Sequence, residues 1–214
     1  MAMIDETELE KRKAVSKKII DKVTRGWYLK KQIEYNIGPV FRKSEPNRIL
    51  NGYVDYHTSS RTVIDKVIYN IASDCYDESL FHELFHCCWF IRLKNTEKRK
   101  LSNNCQFRYK HLYTDCDIDT VLKKESELPA YSFGVWAAAK WRGIEDENTR
   151  QSDDVEALFI DVYNGDVMHR GEQFSFQELF YGCIGIAFFA FAAIVTAEKK
   201  LGFKSAGAMF SSFF

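Results

Sequence analysis

The chain has 214 residues, enough for one good-sized hydrophobic core or two small domains. Its 46% hydrophobic and 15% aromatic content supplies a packed globule and excludes a disordered chain. Lysine plus arginine balances aspartate plus glutamate at 30 each, so no overall field recruits nucleic acid or an anionic membrane, and no nucleic-acid partner is expected.

Residues 6–37 are charged and free of proline, with apolar side chains at Val15, Ile19, Ile20, Val23, Trp27 and Ile33. That spacing predicts one long amphipathic helix with a break near Gly26. Lys11, Arg12, Lys13, Lys17 and Lys18 are flanked by acids and read as a solvated face. Gly38-Pro39 closes the element, and Ser44-Glu45-Pro46-Asn47 predicts a loop. Residues 49–57 and 63–71 are rich in β-branched and aromatic side chains. They predict two antiparallel strands joined by a turn at Thr58-Ser59-Ser60-Arg61. His57, in the first of these, is read as a surface or half-buried residue and not as a ligand.

A helix is then predicted to about residue 93, with Asp77 or Ser79 as its N-cap. It is apolar nearly all round, through Leu80, Phe81, Leu84, Phe85, Trp89, Phe90 and Ile91, and so belongs at the centre of the fold. Within it stands His82-Glu83-Leu84-Phe85-His86, which uses two of the five histidines in the chain. On a helix these imidazoles lie one turn apart on one face, where they can hold a zinc ion. The carboxylate between them can take a proton from a water that the metal polarises.

Residues 95–118 read as a polar connection. Pro129 is tolerated only in the first turn of a helix, which sets a helix start near Ser126 and an end near Trp141, with Glu127 in the first turn. Residues 153–163 predict a further helix and Asn164-Gly165 a turn, with another helix from Ser175 onward. Residues 179–197 carry no charge and have the length of a membrane span. Lys199, Lys200 and Lys204 follow that stretch, so the positive-inside tendency would put the short tail in the cytoplasm and export everything before it. A buried core helix is therefore the favoured reading, and a membrane anchor the alternative.

Six cysteines stand at positions 75, 87, 88, 105, 116 and 183, without a Cys-x-x-Cys pair. The first residues turn acidic at once and lack the apolar core of a signal peptide, so reduced cysteines in a cytoplasmic protein are expected. Cys87, beside a candidate ligand, reads as a small buried side chain, with a redox-sensitive thiol as the alternative.

A catalytic zinc takes three protein ligands and keeps a fourth position open. His82 and His86 supply two. Glu127 is the preferred third because a helix fixes its position and a carboxylate suits a hydrolytic site. His111 is its main competitor, and Glu125, Asp115 and Asp117 are further candidates. The motif His82-Glu83-Leu84-Phe85-His86, followed by Glu127-Leu128-Pro129-Ala130-Tyr131-Ser132-Phe133-Gly134, resembles the zincin metallopeptidases with a glutamate third ligand. It is similar in particular to the ImmA/IrrE-type peptidases, whose second motif reads Glu-x-x-Ala-Asn-x-Phe-Ala. Glu127, Ala130 and Phe133 match, whereas Tyr131 replaces the asparagine and Gly134 the last alanine.

The expected fold is α+β, a single mostly helical, zincin-like domain over 1–214, with a small antiparallel sheet packed on the motif helix. Its parts are the helix at 6–37, a metallopeptidase core at about 48–142 and an apolar helical part at about 153–214. The expected activity is peptide-bond hydrolysis with Zn2+ on His82, His86 and Glu127 and Glu83 as general base, acting on a protein or peptide substrate. Tyr131, Tyr113 and His111 are candidate oxyanion donors. A non-catalytic interaction protein and a membrane-associated metalloprotease are the alternatives, and the oligomeric state is open.

Overall fold

Asp5 accepts a hydrogen bond from the Glu8 N–H at 2.8 Å and caps the first helix, α1, at Glu6–Val23. The computed structural model describes residues 4–25, 33–42, 45–56, 64–110 and 118–168. All of them fall within one compact unit, residues 1–170. The single helix expected over 6–37 is corrected here: Ile33–Asn36 forms a strand, β1, and the break near Gly26 lies outside the described residues. The reason is tertiary. β1 runs parallel to β5 (Ile64–Asn70), with Ile33 opposite Val67, and gains a ladder of backbone hydrogen bonds that helical periodicity cannot foretell.

β2 (Val40–Arg42) and β3 (Glu45–Leu50) pair antiparallel as a separate two-stranded sheet. Glu45, Pro46 and Asn47, expected in a loop, therefore belong to a strand. Proline is compatible with it because a strand of a two-stranded sheet has a free edge. β4 (Gly52–Tyr56) pairs antiparallel with β5, as expected, with Gly52 opposite Tyr69 and Val54 opposite Val67. The main sheet has the order β1-β5-β4 and is mixed, not purely antiparallel. His57 and the turn at 58–61 lie outside the described residues.

α2 (Tyr76–Ile91) carries the motif and is buried along nearly its whole length, as its composition predicts. Its N-cap position is Cys75, not Asp77 or Ser79. Asp77 lies inside the first turn, where the helix dipole favours an acid, and pairs with Arg142. α1 docks on the turn before α2 through Arg12, whose Nη1 donates to the carbonyls of Ile71 at 3.1 Å and Ser73 at 2.7 Å.

Part of the expected polar connection is helix α3 (Asn95–Asn104). Glu97 accepts from the Lys94 N–H at 2.9 Å at its start, and only Leu101 is buried in it. One buried side chain sets no period, which hides such a helix from the sequence. After a short α4 (Ile118–Leu122) comes α5 (Glu127–Arg142), placed as Pro129 predicts and stopped at Gly143. α6 (Asp153–Asn164) also forms as expected and ends at Gly165, with φ 73°.

The core lies where α2, α5 and α6 meet. Phe133 packs on Phe85 at 5.0 Å and on Phe159 at 5.3 Å between ring centroids, and Trp136 on Phe159 at 5.5 Å. α2 thus has the sheet on one side and α5 on another. The architecture is α+β and mainly helical, as the sequence indicates. Among the described residues no helix is long and apolar enough to cross a membrane, and the apolar stretch 179–197 lies outside them.

Candidate metal centre

His82 and His86 project from one face of α2, four residues apart, and their Nε2 atoms stand 3.0 Å from each other. Glu127, the first residue of α5, brings its Oε2 to 3.5 Å from His82 Nε2 and 3.6 Å from His86 Nε2. The three donor atoms lie within 4.8 Å of one another and form a group that could hold a metal ion. A tetrahedral ion with bonds of about 2.0–2.1 Å keeps its donors about 3.3–3.4 Å apart. The three separations lie on either side of that value, so the residues fit the group without a backbone shift. Two imidazoles and one carboxylate are also a donor set that zinc accepts.

The three side chains are mostly but not wholly buried, with exposures of 14% for His82, 9% for His86 and 23% for Glu127. Burial pushes the Glu127 carboxyl up. The donors and charge of the two imidazoles outweigh it and hold the carboxyl well below the usual range. Glu127 therefore stays ionised and ready to ligate.

Aromatic rings also pack against both imidazoles. Tyr131 meets the His82 ring edge-on at 4.5 Å, and Phe90 stacks on His86 at 6.1 Å with 17° between planes. Among the described residues the buried Nδ1 atom of His86 has no hydrogen-bond partner.

Two glycines set the closeness of the elements around the group. A Cβ on Gly134 would meet the Glu78 carbonyl oxygen at 3.0 Å and His82 Cβ at 3.4 Å, so α5 lies against α2 at the height of the first histidine. That contact gives a reason for Gly134 where the peptidase motif has alanine. On the sheet side, Gly52 abuts the buried Glu83. The sequence marks Gly134 only as a departure from the motif's alanine, and Gly52 not at all. The available signal was an isolated glycine within a strand or helix pattern, which marks close approach. Farther along, Arg142 clamps α5 to the start of α2: its Nε donates to Asp77 Oδ2 at 2.8 Å, and its Nη1 to Glu78 Oε1 at 3.4 Å.

Of the candidate third ligands, the structure brings Glu127 to the histidines. Glu125 is exposed and outside the group. His111, Tyr113, Asp115 and Asp117 lie outside the described residues. Cys87 and Cys88 are each 1% exposed, and burial raises both thiols well above their ordinary range. They are packed core residues, as the simpler reading holds, and not accessible thiolates.

Compared with models of protein families, with curated proteins and with solved structures, the chain matches none. The likeness to zincins therefore rests on the two short motifs and on the meeting of their residues at one point.

Proposed function

We propose that the chain is a zinc-dependent metallopeptidase. The observation that carries this reading is the convergence of His82, His86 and Glu127, which come from two helices and form a group that could hold a metal ion.

His82 and His86 would hold the ion through Nε2 and Glu127 through its carboxylate. When bound, zinc supplies a Lewis acid that polarises a peptide carbonyl and lowers the pKa of water to about 7. Glu83, next to His82 on α2, accepts the proton of the attacking water and passes it to the leaving amine. The aromatic walls of Phe90 and Tyr131 keep the imidazoles in register and limit the water around them. Tyr131 is the oxyanion-donor candidate among the described residues, since its ring already lies against a ligand.

Metal content and turnover test the reading together. Wild type should hold one zinc per chain, and His82→Ala and Glu127→Ala should lose it. Glu83→Gln should keep the zinc but cut a peptide library, read by mass spectrometry, at least about 100-fold more slowly. Wild type without stoichiometric metal would end the proposal, as would full turnover in Glu83→Gln.

A further inference from the structure

We infer that Gly52 is the positioning residue of Glu83: its missing side chain is the space that the Glu83 carboxylate occupies between α2 and β4. The inference rests on Glu83 being the general base proposed above.

Glu83 is 5% exposed, and a Cβ built on Gly52 would stand 2.7 Å from its Oε1, 2.8 Å from its Cγ and 3.0 Å from the Ile68 carbonyl oxygen. All three are closer than ordinary van der Waals contact. Because Cγ is struck as well as Oε1, turning the carboxylate group alone does not relieve the clash. The side chain must leave its rotamer. The strand cannot retreat either. Gly52 is fixed opposite Tyr69 in the β4–β5 ladder, and the third obstacle is main chain on β5.

Conformation does not demand glycine here. Among the described glycines the positive φ values belong to Gly38, Gly143 and Gly165, so the backbone at Gly52 is one that other residues adopt. Space is the remaining requirement, and the group that fills it belongs to the motif. A general base must lie within about 2.6–3.2 Å of the proton it takes, and misplacement by about 1 Å can cost 100-fold in rate. A side chain at position 52 would impose a displacement of that order on Glu83 while leaving His82, His86 and Glu127 in place.

The test is a double-mutant cycle on the full chain: wild type, Gly52→Ala, Glu83→Ala and the double variant. Each is melted without metal, then loaded with zinc and assayed on the library peptide that wild type cuts best. Gly52→Ala should lower Tm by about 4 °C or more when Glu83 is present, and by less than half as much in the Glu83→Ala background. It should bind one zinc, as wild type does, and lose about 100-fold in kcat with KM changed by less than about 3-fold. Equal losses of Tm in both backgrounds would overturn the inference, as would full kcat in zinc-loaded Gly52→Ala. If Gly52→Ala fails to fold, the double variant must fold, and its failure too would overturn the inference. A wild type that cuts no peptide while the two positions remain coupled would refute the peptidase reading and support the placement of Glu83 by Gly52.

Discussion

Replacing Gly134 by alanine sets two effects of known size against each other. In a helix interior alanine is better than glycine by about 0.8–1.0 kcal/mol, so propensity alone predicts a more stable protein. The added Cβ, however, would lie 3.0 Å from the Glu78 carbonyl oxygen and 3.4 Å from His82 Cβ. The first is main chain of α2 and cannot swing aside, so the two helices must part by a few tenths of an ångström. Overpacking of this kind costs about 1–3 kcal/mol, more than the propensity gain over most of that range. The balance is a loss of up to about 2 kcal/mol, which for a chain of this length is a fall of up to about 8 °C in Tm. The same separation carries Glu127 and Tyr131 away from His82, so zinc affinity should fall by about 10-fold, the lower end for a disturbed ligand shell. Thermal melts without metal and a zinc titration against a competing chelator read the two quantities. A Tm that rises by the propensity gain, with unchanged zinc affinity, would refute the argument that this glycine sets the spacing of the ligand-bearing helices.

Two further outcomes follow from the charged groups. Arg142→Ala leaves Asp77, whose side chain is 5% exposed, without its charged partner and with the Glu78 N–H still donating to its Oδ1. It should cost about 2–3 kcal/mol, less than for a fully buried pair because Arg142 is 37% exposed, and thermal denaturation would show it. In metal-free protein, the folded state holds Glu127 below the ordinary carboxylate value of 4.5, so its contribution is fully present above that pH and is lost as pH falls below it. Wild type should therefore outlast Glu127→Gln in melts at neutral pH, and the gap should close on acidification. A gap independent of pH would remove the carboxylate from the account.

The sequence by itself determined the features that are local. The four-residue spacing of His82 and His86 places both rings on one helical face whatever surrounds them. Pro129 can stand only in the first turn of a helix, and this fixed the start of α5 and put Glu127 there. Asn164-Gly165 likewise marked the end of α6, because glycine takes the left-handed conformation without strain. Tertiary structure decided what depends on elements distant in the chain. Ile33 reads as helix by period, yet it lies in a strand because β5 offers it a parallel partner. α3, with Leu101 as its one buried side chain, shows no period to read. Glu127 and Glu125 are two residues apart, and the sequence favours the first only because a helix fixes its position. The packing of α5 on α2 at Gly134 brings the first to the histidines and leaves the second in solvent. At Gly52 an isolated glycine in a strand pattern signals close approach, but only the tertiary structure shows that the Glu83 carboxylate fills the space of the side chain it lacks.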